Sequence, residues 1–372
     1  MPDVAQQQSH AVEEHMPEQL STRHLRKRLL QLAILVVLVG LVVWLTPGLG
    51  SLRRRLDHAS APWLVAAGGF ELLSTLSYVV VFRAVFCARM SWRLSYQIGM
   101  AEQAANALLP AGGAGGLALG AWALSRGGMS GEHIARRTVA FFFLTSLANV
   151  GTVVVFSAAF AVGIFSGDSV PWFTYGFGIA ALLAIAIVVA MPTLHRRRVA
   201  RRKPLPDDAG RVHRWLREGF DALGEGAGDT LSLLRRRPVG VLTGSFGYMA
   251  FDIATLGASF AAFGHAPDFG VLVFAYLVGQ LGGLIPIPGG FGGIEGGLIG
   301  TFAIYQVPVT YTAAAVLAYR ALQLWIPGVL GSIAFVQLRS TLKRETAPAS
   351  ICQPLAEPIE ALPLQRAVSP AR

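Results

Sequence analysis

The chain has 372 residues, of which 53% are hydrophobic and 14% charged, and a formal net charge of +10. Soluble domains carry about 25% charged residues, so this much apolar sequence excludes a water-soluble core and calls for lipid as the solvent. The basic balance would suit nucleic acid in a soluble protein, but here Lys and Arg sit beside apolar segments without the aromatic–basic pattern of an RNA-binding module. They point to membrane topology and to anionic inner-leaflet head groups, and away from nucleic acid.

Residues 1–28 read as a disordered cytoplasmic tail. The first apolar run, 29–49, follows Arg23, Arg26, Lys27 and Arg28 and lacks a clear cleavage site. That favours a retained signal-anchor helix over a removed signal peptide. Further runs long enough to span a bilayer cover 61–82, 138–164, 172–193, 239–263 and 312–338, given the ~20 residues a spanning helix needs. Two more stretches, 94–125 and 271–305, are apolar but interrupted by "LLPAGGAGG" (108–116) and "LIPIPGGFGG" (284–293). From about residue 341 a Pro- and Ala-rich segment reads as a disordered cytoplasmic tail.

Basic residues set the orientation. They lie at 83–93 (Arg83, Arg89, Arg93), at 126–137 (Arg126, Arg136, Arg137), along the link 194–238, and after the last span (Arg339, Lys343, Arg344). The links 165–171, 264–270 and 306–311 have none. Both termini are therefore expected in the cytoplasm. Arg53, Arg54 and Arg55 break the pattern, and residues 50–60 are read as an amphipathic segment on the outer surface. The link 194–238 reads as a positive-inside loop, compatible with a helix lying on the inner leaflet.

With this orientation, both ends of 94–125 are cytoplasmic and both ends of 271–305 are outside. Each stretch is then a re-entrant pair of half-helices that turns where proline removes a donor and glycine weakens the helix. The order span, broken hairpin, span recurs at 61–164 and 239–338 with opposite orientation, the plan of an inverted repeat whose broken segments point to the binding site. The competing reading is two kinked helices, or two separate short spans at 271–285 and 287–305. The expected fold class is an all-α polytopic membrane protein, with about six full spans plus two re-entrant broken-helix hairpins in one transmembrane domain, 29–340.

Polar residues inside such segments cost free energy and usually face a cavity or a partner. Glu102 and Asn106 share a helix face at i, i+4, and Arg320 and Gln323 at i, i+3. Glu295 follows the second glycine cluster, and a Glu295–Arg320 pair would spare each side chain an uncompensated buried charge. These residues form either a polar track for a head group, or a proton-coupling carboxylate site, or structural interhelical hydrogen bonds. Glu71 and Asp252, attached to no motif, are read as structural. The glycines serve close helix packing or bare amides for an anion; no Gly-Lys-Ser/Thr follows, so neither is a Walker loop. Candidate substrate-binding positions are Glu102, Asn106, Pro110, Gly112, Gly113, Pro288, Gly289, Gly290, Glu295, Arg320 and Gln323. Cys87 and Cys352 form no framework, so a structural disulfide is not expected. The scattered histidines give no metal spacing. No cofactor or catalytic motif is expected.

The motifs "LLPAGGAGGLALGAWALSRGGMS" (108–130) and "LIPIPGGFGGIEGG" (284–297) resemble the lysylphosphatidylglycerol synthase transmembrane region family, the flippase-like integral membrane proteins, and the resemblance covers roughly 29–340. Many relatives carry a basic residue soon after the first proline, where this chain has Gly112, Gly113, Gly115 and Gly116. The resemblance implies a cytoplasmic-membrane protein whose partners are a phospholipid or polyprenyl-linked lipid, and an envelope-lipid enzyme. The soluble aminoacyltransferase domain of the synthases is not expected, since the stretch after residue 338 is too short to fold as one. The implied function is lipid transport of the flippase type. The alternative is a non-transporting partner or scaffold of an envelope-lipid synthase or glycosyltransferase, and an intramembrane enzyme is a third, weaker reading.

Overall fold

The computed structural model describes residues 59–108, 114–165, 170–200, 211–236, 238–284 and 292–344. The expected span 29–49, the segment 50–58, both tails and the candidate residues Pro110, Gly112, Gly113, Pro288, Gly289 and Gly290 lie outside them. The described residues are helical: α1 (Ala61–Phe86), α2 (Trp92–Leu108), α3 (Ala114–Arg126), α4 (Gly131–Ala161), α5 (Pro171–Ala200), α6 (Arg211–Arg236), α7 (Pro238–Ala262), α8 (Phe269–Gly279), a 3-10 turn (Gln280–Leu284), α9 (Gly293–Ile304) and α10 (Val309–Arg344). Among them α1, α4, α5, α7 and α10 are long and apolar enough to cross a membrane. The all-α polytopic membrane fold expected from the sequence is therefore borne out.

Local chemistry explains where the helices begin and end. Pro62 opens α1, where a missing N–H costs nothing. Its end is locked by Arg83, whose Nε donates to Met90 O at 2.7 Å while the guanidinium lies over Trp92, 4.4 Å from the ring centre. Ser130 caps α4, accepting from His133 N, with Glu132 in the first turn to complement the helix dipole. That cap starts α4 at Gly131, ahead of the apolar run at 138, because Arg136 and Arg137 continue the helix on its polar side. Cys87, at the end of α1, is disulfide-bonded. This corrects the sequence expectation, which rested on spacing; Cys352 lies outside the described residues.

Both interrupted stretches fold as antiparallel helix pairs. In the first, Asn106 Oδ1 accepts from Gly116 N at 2.9 Å, and Glu102 Oε1 sits 1.5 Å from where Gly120 would carry a Cβ. In the second, Gly297 packs on Gly279 O and Gly282 on Gly293 O, and a Cβ on either glycine would fall 2.5 Å and 1.9 Å from those oxygens. Bare glycine backbone is what lets the arms approach this closely.

Helices α1 and α7 form the central seam. Gly240 packs on Ala84, Gly244 on Val81 and Gly247 on Ser77, and Ser74 Oγ donates to Tyr248 O at 3.0 Å. The falling numbers on α1 against rising ones on α7 make the pair antiparallel. Helix α10 crosses α2 in the same close manner, with Gly331 against Met100 O. The buried apolar side chains gather in two main clusters, one around Phe82, Phe86, Ile98 and Phe141 beside the first hairpin, the other around Phe260, Phe274, Phe302 and Tyr319 beside the second. Helix α5 is the outermost of the long helices, with Ile179, Leu182, Leu183 and Ile187 exposed. A row of large apolar side chains facing outward fits contact with lipid, which is as apolar as leucine.

The basic link contains the helix α6, which lies against α4, α5 and α7. Its Asp221, Glu225 and Asp229 recur every four residues and so share one face. Asp229 lies 3.7 Å from Arg136 and 3.8 Å from Arg137, Glu225 4.0 Å from Arg136, and Asp221 3.7 Å from His195. Gly224 and Gly226 bring the helix against His195 and Val139.

Candidate functional site

The polar residues fall into two clusters. The first lies inside the first hairpin. Glu102, fully surrounded by protein, accepts from Tyr78 OH at 3.0 Å, and Asn106 one turn later holds the Gly116 amide. Gln103 Nε2 reaches Thr75 O at 3.3 Å.

The second cluster sits where α1, α7, α8, α9 and α10 meet. Asp252 of α7 accepts three hydrogen bonds at Oδ2: from Tyr276 OH at 2.5 Å, Tyr319 OH at 3.0 Å and Gln323 Nε2 at 3.2 Å. Gln323 Nε2 also reaches Tyr319 OH at 2.7 Å, and Gln280 Nε2 donates to the same hydroxyl at 3.0 Å. Gln323 Oε1 accepts from Arg320, and Arg320 Nε donates to Glu295 Oε1 at 2.8 Å. One orientation of the Gln323 amide satisfies all of these contacts. The amide therefore links an acidic centre at Asp252 to an ion pair at Arg320–Glu295.

Glu295 has a second task set by the local backbone. It is the third residue of α9, and its Oε2 accepts from Gly292 N at 2.7 Å, the backward half of a capping box. Gly292 adopts φ +80°, a conformation glycine reaches without the penalty a Cβ would bring. One carboxylate thus fastens the start of α9 and pairs with the only cation among the described residues of the cluster.

Glu71 of α1 faces this cluster. Its carboxyl lies within hydrogen-bonding reach of Asp252 and Thr255. Three carboxyl groups, Glu71, Asp252 and Glu295, therefore share one cluster with a single guanidinium, which is bonded to Glu295, in a low-dielectric setting where uncompensated charge is costly.

Of the positions expected from the sequence, Glu295, Arg320 and Gln323 come together, and Glu102 and Asn106 come together apart from them. Pro110, Gly112, Gly113, Pro288, Gly289 and Gly290 lie outside the described residues. Glu71 and Asp252, read from sequence as structural, lie at the centre of the second cluster. Tyr78, Tyr276, Tyr319 and Gln280 were not singled out. One signal was present: the Tyr78–Glu102 and Asp252–Tyr276 hydrogen bonds span the same 24 residues of chain, between a long helix and the first arm of the hairpin that follows it. Among the described residues no group of three or more His, Cys, Asp or Glu side chains could hold a metal ion.

Residues 29–331, most of the chain and all of the second cluster, match the family described as the lysylphosphatidylglycerol synthase TM region. The chain belongs to that family. The match takes in both helix pairs, α6 and most of α10, so both polar clusters lie within the matched residues. A protein named UPF0104 membrane protein, from Methanothermobacter thermautotrophicus, is 37% identical over 93 residues, 25% of this chain and 26% of that relative. The aligned segment thus spans about a quarter of the relative. Family membership and the long apolar helices together make this an integral membrane protein.

Proposed function

We propose that this chain moves a lipid or lipid-linked precursor between the leaflets of the cytoplasmic membrane, in the manner of a flippase, with both termini in the cytoplasm. The observation that carries this reading is the buried network from Glu295 through Arg320 and Gln323 to Asp252. Ionisable side chains this deep among apolar helices are expensive, and in membrane proteins they mark the paths of polar cargo. The two helix pairs are the re-entrant hairpins of an inverted repeat, and the antiparallel run of α1 against α7 supports that relation. Glu102, Asn106, Glu295, Arg320 and Gln323 contact the head group, and the acyl chains remain in lipid. No bond is made or broken and no cofactor takes part.

The test is reconstitution of the full chain into vesicles of phosphatidylethanolamine and phosphatidylglycerol, with fluorescent phosphatidylglycerol and a fluorescent polyprenyl phosphate as probes. Movement faster than in protein-free vesicles, slowed at least about tenfold by Arg320→Gln (~1.4 kcal/mol of lost stabilisation), is the expected result. Equal rates with and without protein for both probes would remove the proposal.

A second reading, a non-transporting partner of an envelope-lipid enzyme, draws on α6. Its acidic face docks on the bundle while Phe220 and Leu223 remain exposed. Lipid movement by the purified chain alone decides for transport.

A further inference from the structure

Glu71 and Asp252 are 3% and 4% exposed and face each other across the α1–α7 seam. Each keeps one carboxyl oxygen, Glu71 Oε2 and Asp252 Oδ1, without a hydrogen-bond donor. The nearby Thr255 hydroxyl already gives its proton to Phe251 O at 2.9 Å. Two carboxylates within hydrogen-bonding reach are both acceptors, and buried acceptors without a donor carry a large desolvation cost. One proton held between them supplies the missing donor and removes one of the two excess negative charges, the solution seen wherever two carboxyls share a site.

We propose that Glu71 and Asp252 form a proton-binding pair and that proton release there drives the transport step. The coupling rests on the lipid-transport reading above. The groups facing the pair are Tyr248 and Thr255 from α7, Tyr276 from α8, Gln280 from the 3-10 turn, and Tyr319, Arg320 and Gln323 from α10, with Glu295 of α9 behind Arg320. Arg320 is the one cation among them. When the proton leaves, the pair gains a full negative charge and competes with Glu295 for Arg320, and Gln323, already bonded to both sides, is the hinge of that exchange. The half-helix cap at Gly292 is fastened by the same Glu295 carboxylate. A change in Arg320's partner is therefore felt at the start of α9. The mass balance is simple: one proton enters from one side of the membrane and leaves on the other.

The experiment has two readouts on the full chain in lipid. Infrared difference spectroscopy at neutral pH is expected to show the carbonyl band of a protonated carboxyl that shifts in D2O, persists in Glu102→Gln and disappears in Glu71→Gln. The side-chain amide introduced by E71Q can donate to Asp252 in place of the proton, so that variant keeps the packing. In the same vesicles as above, a one-unit pH gradient is expected to bias the transbilayer distribution of the moving probe by up to about tenfold, the bias of one proton per lipid, with no bias in E71Q. A missing band in the wild type, or a band unchanged in E71Q, overturns the proton site. Probe movement that ignores the proton gradient, or that answers equally to a sodium gradient, overturns the coupling. If neither probe moves at all, the transport reading falls and the coupling falls with it, while the infrared band still decides whether the pair holds the proton.

Discussion

Arg320 Nε lies 2.8 Å from Glu295 Oε1, with the two side chains 6% and 17% exposed. It joins the last long helix to the first turn of α9. Deleting one member of a buried pair leaves the other uncompensated and costs about 3–5 kcal/mol, whereas exchanging both for apolar residues of similar size is often neutral. Arg320→Ala is therefore expected to lower the thermal midpoint in detergent sharply, and Arg320→Met with Glu295→Leu to recover most of the loss while abolishing transport. Equal midpoints for R320A and the wild type would show that the pair carries no structural weight.

The seam between α1 and α7 depends on the absence of a side chain. A Cβ at Gly244 would lie 2.5 Å from the Val81 backbone nitrogen, and backbone cannot yield as a side-chain tip can. Gly244→Ala is expected to destabilise by roughly 1–3 kcal/mol, the usual cost of overpacking. Gly296→Ala, also in a helix but with no atom within 4 Å, is expected to be neutral or to stabilise by up to about 1 kcal/mol through helix propensity. Chemical denaturation in mixed micelles compares the two, and similar shifts for both would mean that the close approach does not matter.

The long helices were legible because their signal is local. Apolar length sets a span, and the five described ones fall where the apolar runs do. The Glu295–Arg320 pair was legible because charge in an apolar segment demands a partner. Glu71 and Asp252 could not be paired in advance. They are joined by the antiparallel seam, and that register follows from Gly240, Gly244 and Gly247 fitting against Ala84, Val81 and Ser77, which depends on three-dimensional shape. The tyrosines were missed for a related reason. An aromatic in an apolar helix reads as packing until the acceptor for its hydroxyl is known. The helix α6 was only half legible: its acidic four-residue spacing was in the sequence, but the net basic charge of 194–238 drew attention to head groups and away from Arg136 and Arg137.

Glu102 and Gly120 are matched in the same sense as Gly244 and Val81, but here one partner is a side chain. A Cβ at residue 120 would fall 1.5 Å from Glu102 Oε1, and that carboxyl is held by Tyr78. Gly120→Ala is expected to break the Tyr78–Glu102 hydrogen bond and destabilise the hairpin. Glu102→Ala removes the obstacle, so the double variant is expected to lose less than the two single losses added together, with a coupling of about 0.5–3 kcal/mol for groups in contact. A thermal-melt double-mutant cycle measures it, and strict additivity would place the two residues apart.

The docking of α6 is the weakest of these contacts and the most sensitive to salt. Its ion pairs lie between partly exposed side chains at 3.7–4.0 Å, so each contributes well under 1 kcal/mol. Asp229 is shared by Arg136 and Arg137, however, so removing its charge weakens two contacts at once, while Arg136 keeps Glu225 and Glu132. Asp229→Asn is expected to raise hydrogen exchange in 219–236 roughly fivefold, equivalent to about 1 kcal/mol, and leave α7 unchanged. High salt should produce the same change in the wild type, because the Debye length falls to about 3 Å at 1 M and exposed pairs are screened. It should add little to D229N. Gly226→Val acts by another route: its Cβ would lie 2.4 Å from Val139 Cγ1, so its effect on exchange is expected to be insensitive to salt. If salt loosened G226V and D229N alike, the electrostatic account of α6 docking would be wrong and the packing of Gly224 and Gly226 would have to carry it.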